Sequence, residues 1–226
     1  MKLKPSERLT LLTLAALILA ALGAVAYLAF KPRPTLNVLA AAPSAAAQSQ
    51  GYEGHPTLGD AAAPVKIILF ENFLCEHCKA FETSVFEQLE RVYFSTGKAE
   101  AYYVNLAWGE ADVVRAGRAG ECTFKQNSAA FWDYKKALFA AQGAVGWATL
   151  GTLEQLAAAV PGLGAAELRT CVETGATQSE VARDLALADF IGVTGTPSVV
   201  IGDQGFEAPS FATLEAAIDT QLAQLE

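Results

Sequence analysis

Two cysteines with two residues between them, Cys75-Glu76-His77-Cys78, are the part of this chain best suited to chemistry. The thiolate, not the thiol, is the nucleophile. A cysteine at the start of a helix meets unpaired N–H groups and the positive end of the helix dipole, and both favour the anion. Neighbouring cysteines on a first helical turn close a disulfide with little movement and can shuttle two electrons. Other uses of the pair are less well supported. A structural zinc site needs four ligands, yet the only other histidine, His55, falls in a stretch read as a tether, and Cys122 and Cys171 lack Cys-x-x-Cys spacing. A static disulfide across two residues closes almost no loop and stabilises little. Copper handling by soft thiolates is the remaining alternative.

The flanking sequence must place that pair. Residues 65–70, Val-Lys-Ile-Ile-Leu-Phe, read as a short strand buried on both faces of a sheet. From Cys78 the period changes: Phe81, Val85, Phe86, Leu89 and Val92 or Tyr93 recur at helical spacing, predicting a helix that ends near Gly97. Residues 101–106 form a second strand candidate and complete a β-α-β unit. Residues 109–191 carry helical stretches at 110–125, 128–141, 152–160, 165–173 and 179–191, punctuated by glycine. Residues 198–201, a turn at 202–205, a short edge strand around Phe206 and a helix over 211–225 close the chain. Phe131, Trp132, Tyr134 and Phe139 are expected in the core, or else lining a substrate groove. The pattern predicts an α/β fold with an inserted helical subdomain at about 109–191.

Composition divides the chain in two. The 226 residues are 52% apolar with net charge −8. Residues 9–30 are an uncharged run of 22, long enough as a helix of roughly 33 Å to cross a hydrocarbon core. Residues 1–34 hold five basic and one acidic side chain, +4, so the remainder carries −12. That acidic remainder argues against nucleic-acid binding, which needs a basic face. The expected organisation is a cytoplasmic basic tail (1–8), a transmembrane anchor or signal (9–30), a Pro-, Ala- and Ser-rich flexible linker (31–57) and a folded domain (58–226). Cleavage after Ala24-Val25-Ala26 would instead release the domain as a secreted protein.

Phe70-Glu71-Asn72-Phe73-Leu74-Cys75-Glu76-His77-Cys78-Lys79-Ala80-Phe81, followed about 120 residues later by Gly192-Val193-Thr194-Gly195-Thr196-Pro197-Ser198, resembles the DsbA-type thiol-disulfide oxidoreductases of the thioredoxin superfamily. The resemblance runs from about 58 to 225 and implies a thioredoxin-like fold. It makes Cys75 the attacking thiolate, Cys78 the resolving thiol and Pro197 a cis-proline, with Thr196 offering backbone to an extended substrate. His77 occupies the place of a histidine in oxidising relatives, while Glu76 replaces a common proline and should oppose thiolate formation. Many relatives carry an acid six residues before the first cysteine. Here that residue is Leu69, and Glu71 is the nearest substitute for proton transfer, with a solvated strand-end carboxylate as the alternative reading.

The same resemblance pairs Cys122 with Cys171 as a structural disulfide, closing a loop of about 50 residues worth roughly 4 kcal/mol. It implies no bound cofactor or metal and a monomeric soluble domain. Its substrates would be exported cysteine-containing proteins. Its reoxidising partner would be a quinone-linked membrane thiol oxidase of the DsbB or vitamin-K-epoxide-reductase type. A reductase or isomerase of the same compartment is the alternative within this chemistry.

Overall fold

In the computed structural model of the protein, residues 52–225 and the strand Thr35–Leu36 are described. The sheet is built around the strand that leads into the cysteine pair. With β1 (Thr35–Leu36), β2 (Thr57–Gly59), β3 (Val65–Glu71), β4 (Ala99–Asn105), β5 (Ser198–Ile201) and β6 (Gln204–Glu207), the strand order is β1-β6-β5-β3-β4-β2. β3 runs parallel to β4 and antiparallel to β5, and every other pairing is antiparallel. Every residue of β3 except Lys66 is buried, as its continuous apolar run predicts for a central strand.

Alternate residues of β3 feed two cores. Ile67 and Leu69 point to one face with Phe73, Cys78, Phe81, Leu89, Phe131, Leu214 and Ile218. Ile68 and Phe70 point to the other with Val104, Leu106, Ala188 and Val200. Period-two alternation therefore carries Glu71 to the Leu69 face, the face of the cysteine pair.

The crossover from β3 to β4 is the helix α1, residues 76–94. It opens as an α-helix (Glu76–Phe81) and contains two π-helical stretches, Glu82–Phe86 and Glu90–Phe94. The helical insertion between β4 and β5 comprises α2 (Ala111–Gln126), α3 (Ala130–Ala141), α4 (Leu150–Ala158), α5 (Ala165–Thr174) and α6 (Gln178–Ile191); α7 (Phe211–Ala223) follows β6. A disulfide joins Cys122 on α2 to Cys171 on α5, with Cα atoms 6.0 Å apart. α2 lies tight against the cysteine loop: a Cβ at Gly120 would stand 3.3 Å from the Phe73 ring. Phe131, Trp132, Tyr134 and Phe139 are all buried, so they serve the core.

Two expectations need correction. The strand around Phe206 is not at the edge, because β1 pairs with it, Thr35 opposite Phe206 and Leu36 opposite Gly205. The stretch read as a tether over 31–57 supplies that strand. Its last residues also belong to the folded domain, with Tyr52 and His55 buried at 6% and 3% exposure and β2 beginning at Thr57. His55 Nε2 lies 3.0 Å from Asp184 Oδ1 of α6, and its Nδ1 donates to Tyr52 O at 3.0 Å. Polar composition reads as linker, but a lone histidine with a buried acid as partner is part of the packing, and that partner lies far away in sequence. The expected membrane segment, residues 9–30, lies outside the described residues. Among the described residues no helix is long and apolar enough to cross a membrane.

Candidate active site

Cys75 is the N-cap of α1, with extended backbone (φ −73°, ψ 116°), and its sulfur accepts from the Cys78 N–H at 3.4 Å. The cap forms because β3 ends at Glu71 and the intervening turn closes through the Cys75 N–H, which donates to Asn72 O at 3.0 Å. As a thiol, Cys75 donates to Thr196 O at 3.1 Å. Thr196 precedes Pro197, and the peptide bond between them is cis. Residues 121 positions apart thus meet at one sulfur. They do so because β5, which follows Pro197, pairs with β3, setting Ser198 opposite Phe70.

The two thiols differ sharply. Cys75 is partly exposed and its pKa is lowered to about 5. The Cys78 thiol contributes most by donating to it, partial burial opposes, and the Thr196 side chain and the N–H groups of Cys78 and His77 add to the lowering. Cys78 is fully buried, and burial first, then its bond to Cys75 and the charge of Glu71, push its thiol far above the ordinary value. One sulfur is therefore an accessible anion near neutral pH and the other a protonated, sheltered thiol. It is the His77 main-chain N–H that reaches the Cys75 sulfur, while the imidazole is exposed to solvent. Glu76 is also exposed, in the first turn, where the helix dipole favours a carboxylate.

Glu71 is not a solvated strand-end carboxylate: it is completely buried, 3.3 Å from Lys135 Nζ. Burial drives its pKa up to about 7, the Lys135 charge pulls it back, and Glu82 and Cys75 push it higher. Lys135 is itself fully buried and bonds Glu82 of α1. Its ammonium also sits over the Phe86 ring at 4.1 Å and within 6 Å of the rings of Tyr103, Trp132 and Phe139. The Glu71 charge also helps to raise the Cys78 thiol, so this network bears on the cysteine pair.

Lys135 and Glu82 do not stand out as site residues from sequence, although a signal exists. Lys135 falls on the Phe131–Leu138–Phe139 stripe of α3, and Glu82 falls between Cys78 and Val85 on the buried stripe of α1. Opposite charges on two apolar stripes are a pairing signal. From the insertion, Gln142 donates to Phe73 O at 2.9 Å, and Lys79 donates to Gln142 O at 2.9 Å, tying α3 to the cysteine turn.

A family model described as Thioredoxin matches residues 52–220. The chain is 26% identical over 174 residues to a protein named probable disulfide bond formation protein D from Bacillus anthracis, covering 76% of this chain and 80% of that one. It is also 26% identical over 154 residues to disulfide bond formation protein D from Bacillus subtilis strain 168, covering 67% and 69%. Among solved structures, oxidised BdbD from Bacillus subtilis superposes with a TM-score of 0.72 at 24% identity, covering 76% of this chain and 94% of that one. DsbA from Chlamydia trachomatis superposes with a TM-score of 0.71 at 26% identity, covering 77% and 94%.

Proposed function

Since the chain belongs to the thioredoxin family and is a DsbA-like thiol-disulfide oxidoreductase within it, we propose that it works as a membrane-tethered oxidase that donates the Cys75–Cys78 disulfide to exported proteins. The observation that carries the direction is the asymmetry of the two thiols. A Cys75 pKa near 5 stabilises the reduced form, and a stabilised reduced form makes the disulfide oxidising. The relatives' name, disulfide bond formation protein D, agrees with that direction.

In the first step a substrate thiolate attacks Cys75 Sγ. A mixed disulfide forms, the Cys75–Cys78 bond breaks, and Cys78 leaves as a thiolate that takes a proton from neutral Glu71. In the second step another substrate thiolate attacks the substrate sulfur of the mixed disulfide, so Cys75 leaves as a thiolate held by the N–H groups of His77 and Cys78. The substrate has lost two electrons and the enzyme holds them as a dithiol. Thr196 and Pro197 border the sulfur and are read as the surface for an extended substrate backbone, with His77 beside it.

Regeneration requires an oxidant, proposed as a quinone-linked membrane thiol oxidase of the DsbB or vitamin-K-epoxide-reductase type. Residues 1–8 would face the cytoplasm and 9–30 would anchor the chain. The folded domain would act outside the membrane, where a Cys122–Cys171 disulfide persists. Tethering near the bilayer would raise the effective concentration at such a partner.

The test is oxidative refolding of a reduced model protein by the oxidised chain, with a measured reduction potential for the Cys75 pair. A potential of about −120 to −180 mV and loss of activity in Cys75→Ser are expected; a value near −270 mV would instead make the chain a reductase.

A further inference from the structure

Away from the cysteine pair, two carboxyl groups are buried against each other, Glu121 of α2 and Asp184 of α6, at 1% and 0% exposure. Their surroundings differ. Asp184 is surrounded by donors: Oδ1 faces His55 Nε2 at 3.0 Å and receives Arg183 Nε at 3.1 Å and Nη2 at 2.9 Å, while Oδ2 receives the Asn105 N–H at 2.9 Å. Glu121 meets no N–H or O–H donor at either oxygen among the described residues. The group it does meet is Asp184, within hydrogen-bonding reach. Two carboxylates in contact repel, and a buried one without a donor is costly, so the contact is favourable only with a proton between them. Asp184, with its donors, is then the anion of the pair and Glu121 the acid. Burial first and the Asp184 charge second drive the Glu121 pKa up to about 8, with Arg183 opposing and Glu180, itself paired with Lys125, adding to the rise. From β4, Tyr103 lies within range of the same charge. Among the described residues no three His, Cys, Asp or Glu side chains are placed to hold a metal ion, which favours a proton over a cation as the bridge.

We propose that the proton shared by Glu121 and Asp184 is a pH-sensitive latch that holds the entry segment, residues 52–56, on the domain, and that alkaline pH releases it. The latch works through Asp184. The carboxylate that accepts the Glu121 proton also holds His55, and Arg183, bound to the same carboxylate, donates to Gly54 O at 3.2 Å. The Asn105 N–H ties Asp184 to the end of β4 as well. Loss of the proton leaves two buried anions in contact, and their repulsion falls on the contacts that Asp184 makes. Folded Glu121 keeps a proton that the unfolded chain releases above about 4.5, so the stability it contributes is full below that value, falls as pH rises and is gone above about 8.

The experiment compares the oxidised full chain with its Glu121→Gln variant, whose amide donates to Asp184 at every pH. Oxidation removes the Cys75 thiolate, and the titration of Glu71 is common to both chains and cancels. The readouts are the carbonyl band of a protonated buried carboxylic acid in infrared difference spectra, the melting temperature, and deuterium exchange of the amides of residues 52–58. Wild type should show a carboxylic-acid band at about pH 6 that the variant lacks and that fades through about pH 8. The melting temperature of wild type relative to the variant should fall between about pH 5 and about pH 8 and level off above. At about pH 9 residues 52–58 should exchange about tenfold faster in wild type than in Glu121→Gln, and at about pH 6 the two should match. Should Glu121→Gln fail to fold, Glu71→Gln decides the matter, because Glu121 remains there as a raised carboxyl whose band must persist at about pH 6 and fade through about pH 8; a missing band overturns the proposal. A difference between wild type and Glu121→Gln that does not change with pH would also overturn it, leaving Glu121 a packing residue. So would equal exchange at residues 52–58 at every pH, since the proton would then stabilise the helices without holding the entry segment. A melting temperature raised by calcium or magnesium ions in wild type and not in Glu121→Gln would overturn it too, by placing a cation between the carboxylates.

Discussion

At the scale of single residues, Cys75 links redox state to pH. Its thiol titrates near 5 in the fold against 9 as the ordinary value, so its thiolate favours the folded reduced form. A depressed value of this kind gives stability that is complete above about 9 and lost as pH falls through about 5, and the oxidised form has no such group. The melting temperature of the reduced form relative to the oxidised form should therefore drop steadily from about pH 8 to about pH 5. Scanning calorimetry on both forms measures it, and a pH-independent difference would refute the assignment. Glu71 gives a second prediction, for the reverse step in which Cys78 resolves a mixed disulfide at Cys75. The carboxyl titrates near 7, so it can take the Cys78 proton only above that value. Stopped-flow resolution rates should rise through about pH 7 in wild type and lose that step in Glu71→Gln, which should be slower by at least about tenfold at pH 8. An identical profile in the variant would remove Glu71 from proton transfer.

Elements impose the next constraint, since no local segment holds the site by itself. β3 delivers Glu71 and the cysteine turn, α1 delivers Cys75 and Glu82, α3 delivers Lys135, and β5 brings Thr196. A lysine from the inserted helices thereby sits between two carboxyl groups of the β3–α1 unit, so the insertion and the cysteine turn share one electrostatic network. The segment entering the domain is fixed in a similar way. Asp184 on α6 is fully buried and faces His55, Arg183, the Asn105 N–H and Glu121, whose own pKa is raised to about 8 by burial and the Asp184 charge. His55→Ala should cost about 2 kcal/mol, the scale of a lost buried polar contact, because Arg183 and Asn105 still face Asp184. Urea denaturation measures this, and a loss under about 0.5 kcal/mol would return residues 52–56 to the status of a linker.

Over the whole molecule, charge is strongly divided, with +4 in residues 1–34 and −12 in the remainder. An uncharged run of 22 residues lies within the basic part, and the proposed anchor follows from that arrangement rather than from the folded domain. When the full chain is expressed in a bacterial host, it should sediment with membranes and resist alkaline carbonate extraction, whereas a form starting at residue 31 should not sediment. Recovery of a mature protein beginning at Tyr27 would replace the anchor with a cleaved signal.

What the sequence alone determined is whatever depends on short-range pattern. A short, nearly continuous apolar run gave the strand before Cys75, a period near 3.6 gave the helix after it, and the spacing of Cys75 and Cys78 declared the chemistry. Helix ends were legible to within a few residues because glycines and caps are local. The tertiary structure decided what depends on partners far along the chain: Lys135 on Glu82, 53 residues apart, Asn72 on Leu106, 34 apart, and His55 on Asp184. It also decided that Glu71 is buried, since a carboxylate at the end of a strand can point to water or to a lysine with the same local sequence. Periodicity states which face of an element is apolar. Only packing states what that face meets, and for a charged group the partner it meets sets whether the charge survives burial and what it can do there.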